Sequence, residues 1–446
     1  MNRLITGILL VFFAVLFVHN AWLYSPWGGY DKDLHMAYAK ILTFEHRIPV
    51  YEETPESYNP PLFYWLSGQL AKNTSPWFNH DFLESLKSWQ ILMALLVPLA
   101  GWFWLDTFRR FNPENKFYSW FFIAWLLSLP VLNKMIPMYN LEVPQFISAS
   151  FLIWFFLKFV LPKPSLTKMV WLGIFSGGVL SLRLMSFTLL LAMGLTMIIA
   201  AYVKNTGFKT MIKHNLVFTV IALLIGGQYY FFYRDNGAFG DKMEDLKHIP
   251  LWQRQPKTFY TDTFFRTMMR VPVRPNFPNR FIPIFYSDFW GDYWNYFPQQ
   301  RFGLTINQLR KDRQLITPER INRLAWQNRV NIIPTIIILL GFFRALVFAV
   351  KRLYRRRPLP QKQLAEIFLT LFFTVTFAAF FYMNHKFANL YKGDTIKASY
   401  LLYAIPVLIY FAVDWLGQLE KRRLIFYPLM TAILIAMVFN LEFIFF

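Results

Sequence analysis

The sequence predicts an all-α polytopic membrane protein with about 11 transmembrane helices and two long extracytoplasmic loops. Three observations predict it. Of 446 residues, 56% are hydrophobic and only 16% charged, against roughly 25% charged in ordinary soluble chains. Apolar runs recur at about the 20-residue length that crosses a hydrocarbon core about 30 Å thick. The short loops between those runs carry their Lys and Arg on one side, as cytoplasmic loops do.

The composition also excludes whole classes. Fifty Phe and 16 Trp would leave large apolar patches in water, so a soluble enzyme is excluded. High apolar content excludes disorder. With no Cys there are no disulfides, thiolate nucleophiles or zinc–thiolate sites. The net charge of +21 would suggest nucleic acid in a soluble chain. Here it suits cytoplasmic loops and anionic headgroups, so membrane lipids are expected partners and nucleic acid is not.

The first run, Leu4–Val18 continuing through Asn20-Ala21-Trp22, has no small-x-small cleavage site behind it and reads as an uncleaved span. Further runs lie near Ile91–Leu105, Tyr118–Leu132, Val143–Leu161, Met169–Ala201 (long enough for two short spans), Leu216–Tyr233, Ile332–Val350, Ile367–Met383, Tyr400–Trp415 and Ile425–Phe443. Basic residues fall in the alternate short loops: Arg109, Arg110 and Lys116; Lys163 and Lys168; Lys204, Lys209 and Lys213; Lys351 to Arg357; Lys421 to Arg423. These loops share one side, the cytoplasmic one, which puts the N-terminus inside and Phe446 outside. The expected location is a multi-pass protein of a bacterial cytoplasmic membrane with its active site facing outward.

Two segments on the outer side, about 22–89 and 234–330, are too long to be connectors, and loops of that length usually carry function. The expected organisation is an N-terminal transmembrane module, 1–233, holding the first outer loop; a large outer loop, 234–330; and C-terminal transmembrane helices, 331–446. No internal repeat is evident, which weakens a reading as an inverted-repeat transporter.

Directly after the first run comes Tyr30-Asp31-Lys32-Asp33-Leu34-His35. Asp31 and His35 are four apart and share a face if a helix begins there. Two carboxylates at a membrane boundary are costly and need a reason. The plain reading is that one of them caps the helix. Arg47-Ile48-Pro49 follows, then Tyr58-Asn59-Pro60-Pro61-Leu62-Phe63-Tyr64, a rigid entry into an amphipathic helix lying in the interface.

Further elements occur in order: Met138-Tyr139-Asn140-Leu141-Glu142 entering a span, Gly173 to Arg183, Gly227 to Asn236 with Phe239-Gly240-Asp241, Ser287-Asp288-Phe289-Trp290-Gly291-Asp292, and Lys397-Ala398-Ser399-Tyr400 running to Pro406. Taken together, their order and sidedness resemble the GT-C superfamily of polytopic glycosyltransferases, in the branch with protein O-mannosyltransferases and lipid A aminoarabinose transferases. Arg183 stands where Lys is commoner, and Ser399 where Arg is.

The resemblance implies a GT-C-like fold and transfer of one sugar from a polyprenyl-phosphate donor to a lipid, glycan or protein acceptor. It implies a carboxylate acting as general base: Asp31 aligns best, Asp33 competes, and Glu142 is the second acidic position. A base must reach the acceptor proton within about 2.6–3.2 Å and be ionised. His35, Tyr58, Arg183, Arg234, Lys397 and Tyr400 are the expected substrate-binding residues, the cations among them facing the lipid phosphate. No cofactor is certain; a divalent cation held by Glu142 and the Asp pair is the one candidate. Arg183 is expected within a span. Arg266, Arg270, Arg274 and Arg280 read as a solvated or headgroup-facing surface. The rival from another class is a transporter or flippase of a lipid-linked sugar, which should place its polar residues near mid-membrane; a non-catalytic scaffold of the same fold is a third reading.

Overall fold

A computed structural model of the protein describes residues 2–113, 118–204, 207–230, 249–297, 317–354, 359–387 and 395–442. Every regular element among them is helical. Eight helices are long and apolar enough to cross a membrane: Leu4–Leu23, Phe82–Phe111, Glu142–Val160, Leu184–Val203, Phe208–Tyr230, Pro318–Tyr354, Gln361–Lys386 and Arg423–Asn440. Three shorter apolar helices, Tyr118–Leu127, Leu166–Leu180 and Ile405–Leu419, occupy the remaining expected runs.

The shortening has local causes. The run expected at 118–132 stops because Leu129 precedes Pro130, which disfavours helical backbone there; the chain restarts as the Pro130–Met135 helix. The run expected at 400–415 opens with a 3₁₀ turn, Ala398–Leu401, and becomes α-helical only from Ile405. The run at 169–201 is two helices broken between Leu180 and Leu184.

The first helix runs antiparallel to Lys87–Phe111. At one end Arg109 Nη2 donates to Thr6 Oγ1 at 3.0 Å. At the other, buried Lys87 Nζ donates to the carbonyls of Ala21, at 3.1 Å, and Tyr24, a cation at a helix C-terminus where the dipole favours it. Leu166–Leu180 packs closely on Phe208–Ala222 because it presents glycine: a Cβ on Gly173 would stand 2.8 Å from Ile221, so only a small residue permits that approach.

The two ends of the bundle differ in chemistry. One gathers the short basic loops: Lys158 pairs with Asp106 at 2.9 Å, Arg344 with Asp414 at 3.1 Å, and Lys362 donates to Asn112 at 2.8 Å. The other end carries the first long segment, which is folded into helices Lys32–Phe44, Leu62–Thr74 and Phe82–Ser85 with 3₁₀ turns between. Trp65 and Trp77 are exposed there, as interfacial aromatics are. The second long segment contributes helices Phe281–Phe289 and Pro318–Val330. The latter is clasped to the chain ends: Arg320 Nη1 lies 3.1 Å from Glu442, Gln327 Nε2 donates to Glu442 at 2.9 Å, and Asn20 Nδ2 donates to the Glu442 carbonyl at 2.8 Å.

Candidate active site

Asp31 begins the site. Its backbone is left-handed (φ 48°, ψ 23°) immediately before the Lys32–Phe44 helix, a conformation that Asp tolerates better than most residues but that still costs energy. Its carbonyl accepts the amides of Leu34 and His35 at 3.0 and 3.1 Å. Its side chain makes no capping hydrogen bond, so the plain capping reading does not hold for Asp31. Oδ2 instead accepts from Lys397 Nζ at 2.9 Å. Asp33 lies two residues on in the first turn, half-buried, and leaves the helix on another face.

Lys397 is buried and introduces the Ala398–Leu401 turn. Its Nζ stands over two aromatic rings, 4.7 Å from the centroid of Tyr30 and 5.7 Å from that of Tyr400. Burial works against the ammonium, but Tyr400 and Asp31 outweigh it and hold its pKa well above the ordinary value. The balance favours the charged form of Lys397.

Tyr400 carries a second cation, with the Arg183 guanidinium 4.6 Å from its ring centroid. Arg183 Nη1 in turn lies 2.5 Å from Glu142 Oε1, at the start of the Glu142–Phe155 helix. The sequence placed Arg183 within a span; it sits instead in the break between two helices, extended at φ −160° and ψ 137°. That break lets a long cation turn back toward the carboxylate rather than lie along a helix. Asp31, Lys397, Tyr400, Arg183 and Glu142 thus form one alternating chain of charge and ring.

Tyr58 shares this field. Burial pushes its hydroxyl well above the ordinary value, Glu56, Tyr400 and Asp31 add to that, and Arg183 opposes it. It stays neutral and can donate. His35, buried on the same helix as Asp33, has Nδ1 2.8 Å from Tyr64 OH and 3.9 Å from Glu56. Glu56 is fixed by Asn59 Nδ2 at 2.6 Å. A cavity of about 570 Å³, mostly apolar, opens between Pro60, Pro61, Leu62 and Trp65 on one side and Ser181, Ile225 and Tyr229 on the other, with Ser181 two residues before Arg183.

Of the residues singled out in the sequence, Asp31, Glu142, Arg183, Lys397 and Tyr400 converge in direct contact, with Tyr58 in the same field. Arg234 and the Phe239-Gly240-Asp241 element lie outside the described residues. Among the described residues no group of three His, Asp or Glu is placed to hold a metal ion, and Asp31 and Glu142 each face a cation. In the second segment, Arg280 pairs with Asp262 at 2.9 Å and Arg274 lies over Trp294.

Sequence reasoning missed Tyr30, Glu56, Tyr64 and the buried ion pair of Lys134 with Asp288. A lone Lys in the apolar stretch 118–136 was a usable signal, because buried cations need partners. Tyr30 and Tyr64 stood inside quoted motifs, but nothing in those motifs gave either a role at the site.

Two solved structures of ArnT from Cupriavidus metallidurans are similar to the chain. The one described as bound to undecaprenyl phosphate has a TM-score of 0.40 and 13% identity, covering 93% of this chain and 79% of that one. The one in the apo state has a TM-score of 0.38 and 14% identity, covering 92% and 76%. No protein-family model and no curated protein matches the chain.

Proposed function

We propose that the protein is a membrane glycosyltransferase that moves one sugar from a polyprenyl-phosphate donor to an acceptor outside the cytoplasm, with Asp31 as general base. The observation that carries this reading is the contact of Asp31 with Lys397. It puts an ionised carboxylate and a cation at one point, 46% and 10% exposed respectively, at the end of the bundle away from the basic loops. Chemistry on a lipid headgroup needs both, at a membrane boundary rather than at mid-membrane.

The donor phosphate competes for the Lys397 ammonium, since contacts between ionised partners are the strong ones. Asp31 is thereby released to the acceptor. As the acceptor oxygen attacks the anomeric carbon, its proton passes to Asp31, the new C–O bond forms, and the bond from that carbon to the phosphate oxygen breaks. The charge left on the polyprenyl phosphate is met by Lys397 and Arg183. Tyr58 and Tyr400 line the path as neutral hydroxyls, and the apolar cavity beside Pro60–Trp65 suits an isoprenoid or acyl chain. The acceptor in this reading is a lipid, a glycan or a protein.

The test compares lipids and glycans by mass spectrometry from cells with the protein, without it, and with Asp31→Asn. An amide keeps the shape but takes no proton, and loss of a base typically costs about 10²–10⁴-fold. The sugar modification should vanish in the variant at normal protein level. A modification retained in Asp31→Asn would overturn the base assignment; a lipid-linked sugar that accumulates on one face without any missing product would favour the transporter.

A further inference from the structure

The geometry points to Asp288 as a positioning residue for Lys397, a role that rests on the donor-phosphate reading above. Asp288 lies in the last turn of the Phe281–Phe289 helix and is fully buried. One oxygen, Oδ2, accepts the Ala398 amide at 2.7 Å, the peptide that follows Lys397. The other, Oδ1, accepts from Tyr30 OH at 3.3 Å, and the Tyr30 ring is the nearer of the two beneath Lys397 Nζ. A single carboxylate therefore holds both the backbone that carries the ammonium and the ring on which it rests.

Lys134 fixes the carboxylate. Its Nζ donates to Asp288 Oδ1, to the Asp288 carbonyl at 2.6 Å and to the Gly291 carbonyl at 3.1 Å. Both side chains are at most 3% exposed. A buried pair of this kind is poor evidence for stability, because an apolar pair of similar volume often does as well. What an apolar pair cannot do is accept an amide and a hydroxyl from two different segments at once. Three elements that are far apart in sequence, around Tyr30, Lys134 and Lys397, meet on Asp288, and the Lys397 ammonium donates to Asp31 Oδ2 at 2.9 Å.

The experiment uses the full chain in detergent and decaprenyl monophosphate as probe, with binding followed by tryptophan fluorescence and folding by thermal unfolding. The charge pair is removed together, as Lys134→Met with Asp288→Ala, and compared with Lys134→Met with Asp288→Asn, whose amide oxygen can still accept the Ala398 N–H. The alanine form should weaken probe binding about tenfold, as expected for one lost hydrogen bond to a charged group. The asparagine form should recover most of that loss. On a Lys397→Ala background neither should weaken binding further, because both act through that ammonium; a merely structural role would add its loss there. Unchanged binding in the alanine form, or a loss that adds to that of Lys397→Ala, would overturn the assignment. If the alanine form does not fold, Tyr30→Phe cuts the hydroxyl contact alone and should weaken binding about threefold, again silently on Lys397→Ala; no change there overturns it equally. Wild-type protein that binds and variants that bind alike remove only the positioning role. Wild-type protein that fails to bind removes the donor reading and this role with it.

Discussion

Lys397 Nζ lies 2.9 Å from Asp31 Oδ2 across 366 residues of sequence. The contact joins the helix that follows the first span to the turn that precedes the Ile405–Leu419 helix, and it is the first link of the chain of charge and ring that runs through Tyr400 and Arg183 to Glu142. Tyr400 and Asp31 together keep the buried ammonium charged against the cost of its burial.

Replacing Lys397 should separate its two tasks. Lys397→Ala removes the cation from both Asp31 and the donor phosphate, so the apparent KM for a short-chain polyprenyl-phosphate sugar should rise by about tenfold or more. Lys397→Arg should rescue only in part, because a planar fork does not reproduce a point charge between two rings. Steady-state transfer in detergent measures both. Unchanged KM and kcat in the alanine variant would take Lys397 out of the site.

The Arg183–Glu142 pair should behave asymmetrically toward single and paired changes. Both side chains are at most 13% exposed. Glu142→Gln or Arg183→Gln leaves one charge unmatched in low dielectric, which costs about 3–5 kcal/mol. The double Gln variant should unfold at a higher temperature than either single one while still transferring poorly. Additive losses in thermal unfolding would show the two charges to be independent.

The pH dependence of donor binding follows from the state of Lys397. Its folded pKa is raised above the model-compound value of 10.5. A cation with a raised folded pKa contributes fully below the unfolded value and is lost only as pH rises through the folded one. Binding of a polyprenyl monophosphate should therefore stay level from neutral pH to pH 10.5. An alkaline limb well below that value, absent in Lys397→Ala, would contradict the paired geometry.

Topology can be read directly, because the chain has no Cys of its own. Glu52 and Lys351 are both exposed, at opposite ends of the bundle. A cysteine at Glu52 should label with a membrane-impermeant maleimide on intact cells, and one at Lys351 only after permeabilisation. The reverse pattern would turn the site toward the cytoplasm and sink an extracytoplasmic reaction.

The helical class was legible because its cause is local and repeated. Runs such as Leu4–Val18 and Ile367–Met383 are apolar enough that only a helix satisfies their backbone in lipid, and the structure has helices there. The candidate residues Asp31, Glu142, Arg183 and Lys397 were legible one by one, since a charge beside an apolar run always needs a partner. Element ends were less so. The break after Leu127 falls inside the run expected at 118–132, and that after Leu180 inside the run at 169–201.

Composition, spacing and charge by themselves determined that this chain is helical, membrane-directed and armed with acidic and basic residues beside its apolar runs, because those properties follow from the solvent each residue can tolerate. Which carboxylate meets which cation was decided by tertiary structure alone. Asp31 finds Lys397 rather than Arg183, Arg183 leaves its helix to reach Glu142, and Lys134 finds Asp288. The reason is that pairing at a distance of a few ångströms depends on where helices end and cross, and sequence separations of 366 and 154 residues carry no trace of that.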